Sequence, residues 1–308
     1  MLAIDRQCAV IANYLSILTI LSIGSFSYAQ DEDDQATPQN TDSNSVAFTL
    51  MDVEAMTAHR DERRDTLAEA LTESKLSAEH QRLVSNAIAK AYVGVPVSSF
   101  TQTTKASGFF NEIVNLQITG EEGPIEASSR VDVKVAGHVE RENALFKLPL
   151  SSNNPFMYFS SVPFVAESGK LQSESDSSAT FEFDYHFPLF HDAEDEMFAN
   201  LAKKMKWVFE ISVSKADLTP ERITVKLAKP VRKRFVFAIS KIQMDFYYSY
   251  IESCGSFAVS KMKELFQTSM IIEGKQEELS EYTYSEITCE QPVQFLLPEE
   301  NENSFLSY

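Results

Sequence analysis

From about Phe100 onward, apolar and polar residues alternate one by one. Val131-Asp132-Val133-Lys134-Val135 and Phe181-Glu182-Phe183-Asp184-Tyr185 are strict cases. Trp207–Val213, Ile223–Leu227 and Phe235–Ile239 follow the same rule, and Met244–Ile251 and Tyr282–Ile287 continue it. A period of two puts one face of each strand on an apolar interior and the other in water, which marks an antiparallel sheet. Short polar connections at Ser214–Asp217 and Glu273–Gln276 suit such a sheet. Residues 168–178 read as an exposed loop, and one further helix is expected at 192–206.

Upstream the period changes. Leu50, Met51, Val53, Met56, Leu67, Ala68, Ala70 and Leu71 recur near 3.6 residues, around a charged run at 59–65 read as a solvated helix face. A second helix begins at Ser77, a good N-cap. It aligns Leu83, Val84, Ala87, Ile88 and Ala91 on one side and stops at Gly94 and Pro96.

The first 29 residues read as an address. Asp5 and Arg6 precede an apolar run from Cys8 to Phe26. Ser27 and Ala29 then fill the small-residue positions of a cleavage site ahead of Gln30-Asp31-Glu32-Asp33-Asp34. Cleavage after Ala29 is the expectation; a retained membrane anchor is the alternative. The layout is then a signal peptide at 1–29, a disordered acidic leader at 30–46 and a helical segment at 47–99. An antiparallel β domain at 100–291 and a polar C-terminal tail at 292–308 complete it. Export to the periplasm or outside changes how cysteine reads. Cys8 leaves with the signal, and the remaining pair, Cys254 and Cys289, suits a disulfide in an oxidising compartment. Two buried thiols are the alternative.

Composition narrows the class. Nine glycines in 308 residues, none in a phosphate-cradling pattern, exclude P-loop and dinucleotide fingerprints. They also argue against a closed barrel or two-sheet sandwich, whose corners use glycine. The fold expected is therefore α+β: a curved antiparallel β-sheet, half-barrel-like, with N-terminal helices packed against it. A net charge of −18 argues against nucleic acid as a partner. Against that background, residues 203–241 carry eleven cations and three anions, a local +8. Lys226, Lys229, Arg232, Lys233 and Arg234 are the heart of this basic strip. It suits an anionic membrane surface or an acidic partner, unless acidic groups of the same chain neutralise it. Large aromatics (Phe235, Phe237, Phe246, Tyr248, Tyr250, Phe257 and Phe266) are candidates to line a ligand cavity on the apolar face, or to fill the core.

One resemblance adds to this. Leu218-Thr219-Pro220-Glu221-Arg222-Ile223-Thr224-Val225, the strand Phe235–Ile239, the long strand from Gly255-Ser256-Phe257-Ala258-Val259 to Ile271-Ile272 and the strand from Glu278 to Cys289 carry it. Together they resemble the C-terminal sheet of the periplasmic lipoprotein-carrier (LolA/LolB-like) half-barrel superfamily. The resemblance implies an exported chain, an N-terminal helix and an unclosed barrel whose hydrophobic concave face accepts acyl chains or another protein. The N-terminal half departs from it, so no functional residue transfers singly.

Hydrolase signatures are missing from the sequence. His186 and His191, five apart, with Asp192 beside them, form a weak divalent-metal candidate, though Pro188 interrupts the segment. The expectation is a non-catalytic exported binding protein, without a cofactor, for a hydrophobic or amphipathic ligand at the cell envelope, with lipid, lipoprotein or an envelope protein as partner. The alternatives are a scaffolding module that uses the basic strip, and a metal-assisted hydrolase centred on His186 and His191.

Overall fold

The computed structural model describes residues 48–91, 94–106, 110–119, 125–135, 138–148, 154–156, 162–186, 200–233, 237–270 and 274–298. A short strand, β1 (Phe48–Asp52), leads into helix α1 (Val53–Leu71). Leu50 and Met51, expected in the helix, belong to the strand. The switch falls at Asp52, whose Oδ1 accepts the Ala55 amide at 2.8 Å and so caps the helix. Helix α2 (Ala78–Ala91) begins as expected, with the His80 amide donating to Ser77 Oγ at 3.2 Å. It presents Leu83, Val84, Ala87, Ile88 and Ala91 to the core. Gly94 follows with φ at +91°, a conformation side-chain-bearing residues avoid, and a Cβ there would lie 2.8 Å from Met56 Cε.

The remainder is overwhelmingly antiparallel sheet, the α+β architecture that the alternation predicts. After β2 (Val95–Pro96) come β3 (Ser98–Ala106), β4 (Phe110–Ile118), β5 (Ile125–Val135) and β6 (His138–Leu148). Next are β7 (Val165–Glu174), β8 (Ser178–Tyr185), β9 (Trp207–Ser214), β10 (Thr219–Leu227) and the three-residue β11 (Val231–Lys233). The long strands β12 (Phe237–Ile251), β13 (Ser256–Met270) and β14 (Gly274–Cys289) precede β15 (Gln294–Pro298). The large sheet runs β6-β5-β4-β3-β14-β13-β12-β10-β9-β8-β7, with β11 beside β12. Two hairpin meanders are thus joined by the pairing of β14 with β3. The strands consecutive in the chain at the crossing, β6 and β7, form opposite edges, so the curved sheet is unclosed.

Two expectations give way here, and a third falls mostly outside the described residues. Most of the loop at 168–178 is strand β7 and the turn to β8, whose outward residues simply face solvent. Residues 294–298, assigned to a polar tail, form β15, which pairs with β1 and β2 and buries Phe295 and Leu296. Gln294-Phe295-Leu296-Leu297-Pro298 is too short a run for periodicity to stand out against the acidic residues after it. Of the helix expected at 192–206, residues 200–202 are helical and 187–199 lie outside the described residues.

Among the described residues the core is one large cluster, with a small second one of Met56 and Phe295. Leu67 and Leu71 of α1 and the apolar stripe of α2 pack with Phe181, Phe183, Phe209, Ile211 and Ile223, and the cluster extends through Tyr282 to Phe100, Leu116 and Ile118. Side chains of this size contribute about 1.5–3 kcal/mol each on full burial. Strands β13 and β14 pair only from Met270↔Gly274 to Lys261↔Thr283. Beyond that they fork: β14 continues along β3 to Cys289↔Ser98, and β13 continues along β12. In the fork the Val259 amide donates to the Pro155 carbonyl at 2.8 Å. The fork is closed by Cys254 and Cys289, whose sulfurs lie 1.96 Å apart with Cα atoms 5.1 Å apart.

Candidate functional site

Register places one face of β12, β13, β14 and β3 in rows across the inner side of the sheet. Ile242 lies beside Phe266 and Glu278. Met244, Glu264, Ser280 and Ala106 form the next row, and Phe246, Met262, Tyr282 and Thr104 the one after. Met244 and Phe266 are half-buried, while Phe246, Met262 and Tyr282 are buried. Polar groups sit among these apolar ones. Tyr282 Oη donates to Glu264 Oε2 at 3.2 Å, and Gln102 Nε2 donates to Tyr284 Oη at 3.3 Å. Gln102 and Thr104 are each only 2% exposed. Period-two reasoning assigns polar residues to the solvent side, so it passes over Gln102, Thr104 and Glu264. Their signal is that they share parity with Phe100, Met262 and Phe266.

The aromatic candidates separate into groups. Phe237, Phe246 and Tyr248 are buried in the main cluster, and Phe257 and Phe266 pack half-buried against it. Tyr250 is 55% exposed and meets Phe257 edge-on, with ring centroids 5.3 Å apart. Phe235 lies outside the described residues.

The basic strip is partly neutralised. Lys226 Nζ pairs with Glu210 across β10 and β9, and Lys215 Nζ lies 2.8 Å from Glu174 Oε1. That contact raises the Lys215 pKa and lowers that of Glu174. Lys203, Lys204, Lys206, Lys229 and Arg232 are exposed and make no ion pair with a described residue. The Lys233 side chain and Arg234 lie outside the described residues.

These free cations gather at one end of the sheet. The turn at 203–206 is anchored by buried Leu201, Ala202 and Met205, and the Ala228 amide donates to the Lys206 carbonyl at 2.7 Å. Strand β11 sits against the start of β12. The helices are fastened at the other end. Lys90 Nζ donates to the Asp217 carbonyl in the β9–β10 turn at 2.7 Å, and the His80 ring meets Phe181 at 5.3 Å and lies 3.6 Å from Glu174 Oε2. At the start of β14, beyond these cations, Lys275 and Glu277 are exposed with opposite charges, Glu277 Oε2 accepting from Gln267 Nε2, while Glu278 is half-buried.

His186 is exposed, while His191 and Asp192 lie outside the described residues, as does the cleavage residue Ala29. Among the described residues no group of three or more His, Cys, Asp or Glu is placed to hold a metal ion, and no helix is long and apolar enough to cross a membrane.

The charged run of α1 departs from its solvated reading. Arg64 does face water, paired with Asp61 at 2.8 Å and Asp65 at 2.9 Å. Arg63, however, is 5% exposed and continues the inward line of Leu67 and Leu71, and Arg60 is half-buried. Burial lowers the Arg60 pKa from its ordinary value, partly offset by Tyr250 and Asp61. Lys90 is lowered by burial as well, and the nearby Arg60 charge adds to that.

No protein-family model matches the chain, and no curated protein matches it significantly.

Proposed function

We propose that this is an exported, non-catalytic binding protein that receives a hydrophobic or amphipathic guest, a lipid or lipoprotein, at the cell envelope. One observation carries the reading. An unclosed sheet has its helices fastened at one end, and at the other its inner face offers half-buried Met244 and Phe266 near a rim of exposed cations that pair with no described residue. Apolar surface that is incompletely covered favours an apolar guest, and the adjoining positive arc favours an anionic head group or bilayer. The polar groups on the same face, Glu264 with Tyr282 and Gln102 with Tyr284, supply partners for the polar end of an amphipath. The signal-like first 29 residues and the bonded cysteine pair agree with an oxidising compartment.

The experiment is vesicle co-sedimentation. Near an anionic bilayer each cation is worth about 1 kcal/mol, so replacing Lys206, Lys229 and Arg232 together by Ser should weaken binding to phosphatidylglycerol vesicles by roughly 100-fold. Unchanged binding removes the membrane-facing role of the rim. Native mass spectrometry of the purified protein tests the guest: co-purifying lipid supports the reading, and a stoichiometric metal without lipid overturns it.

A further inference from the structure

Far from that rim, a second concavity of about 260 Å³ lies between the first turns of α1, the 3-10 turn Glu252–Cys254 and the approach to β15. A sphere of that volume is roughly 8 Å across, the scale of a metabolite or a head group rather than an acyl chain. Its wall comes from three separate parts of the chain, and the Cys254–Cys289 bond fixes the turn that supplies one of them. Val53, Met56, Val293 and Phe295 give it apolar surface.

Two opposite charges line the same space, Arg60 and Glu252. They form no ion pair with each other, and neither makes one with any other described residue. Arg60 Nε is buried and has no hydrogen-bond partner. A buried donor left unmade costs about 1–3 kcal/mol, more when it is charged, so an anionic group reaching this guanidinium from the cavity is favoured. Val53, on the wall, is 53% exposed. It leaves apolar surface open beside the charges.

We propose that this cavity binds a small zwitterion, its anionic oxygens on Arg60 and its ammonium group on Glu252, with an apolar portion against Met56 and Phe295. A simple anion would meet Glu252 unfavourably, and a simple cation would meet Arg60; a molecule bearing both charges satisfies the pair at once. Two sources share that chemistry: a free α-amino acid, and the phosphoethanolamine head group of a lipid.

The test is isothermal titration of the full-length chain, disulfide oxidised, with L-leucine, O-phosphoethanolamine, inorganic phosphate and ethanolamine. At least one zwitterion should bind at least tenfold tighter than either single-charge probe. Preference for leucine assigns the site to free amino acids, and preference for phosphoethanolamine to head-group chemistry. Arg60→Gln should weaken the preferred zwitterion at least tenfold. Glu252→Gln, at an exposed position that leaves the core untouched, should abolish the advantage of the zwitterion over phosphate. No binding of either zwitterion at millimolar concentration, or affinities that neither variant changes, would overturn the assignment.

Discussion

Replacing Gly169 by alanine sets two effects of opposite sign against each other. Gly169 is not in the left-handed region, so alanine meets no backbone penalty of that kind and narrows the unfolded ensemble, a gain of about 0.4–1 kcal/mol. The added Cβ, however, would lie 2.6 Å from Phe183 Cε1, and 3.2 Å from both the Ala166 carbonyl oxygen and Leu76 Cδ1. Phe183 cannot easily yield. It is 1% exposed and stacked on Phe164, with ring centroids 3.9 Å apart. Forcing a methyl group into a packed core costs about 1–3 kcal/mol, which exceeds the entropic gain. A net loss of about 1–2 kcal/mol follows, or roughly 2–8 °C in Tm for a domain of this size. The lone tryptophan, Trp207, is buried on β9, and its fluorescence in urea provides the readout. In a Phe183→Leu background, where Cε1 is gone, the same alanine should cost at least ~0.5 kcal/mol less, within the usual range of contact couplings. If Gly169→Ala proves as stable as the parent or more so, the close approach of β7, β8 and the α1–α2 turn is not as described.

Two further outcomes follow from bonds already described. Replacing Cys254 and Cys289 together by Ser removes a cross-link between residues 35 apart, worth about 3–4 kcal/mol in the chain-entropy model, and the urea midpoint should fall accordingly; an unchanged midpoint refutes it. The Lys261 contact holds the Glu281 carboxyl below its ordinary pKa, so its contribution is present above the unfolded value of roughly 4.3 and is lost as pH falls through the lower folded value. The stability difference between the parent and Lys261→Met should therefore shrink on acidification across that window, and a difference independent of pH would contradict the pairing.

The parts of the fold legible in the sequence are those where one face of an element is buried and the other wet. Phe181–Tyr185, Trp207–Val213 and the α2 stripe show this, and each falls where its period predicts. Pairing order is another matter. That β14 lies against β3 depends on residues about 180 apart, and no local pattern encodes it. Burial of charge was equally hidden: Arg60 and Arg63 stand among Asp61, Glu62, Arg64 and Asp65 in the sequence, and only the packing of α1 separates the wet members from the dry. The cavity at Arg60 escapes for the same reason, since its wall combines residues near 56, 253 and 293.

The link from Pro155 to Val259 has a consequence for how the trough could widen. Seven residues lead from Leu148 at the β6 margin to Pro155, a leash of at most ~25 Å at full stretch. Ten residues lead from Pro155 to Val165 at the β7 margin, at most ~33–36 Å of chain. By chain length alone, the connection to the β6 margin thus has about 10 Å less maximum reach than the connection to the β7 margin. The Val259–Pro155 link therefore sets a tighter upper limit on how far the β6 margin can part from β13 than on how far the β7 margin can.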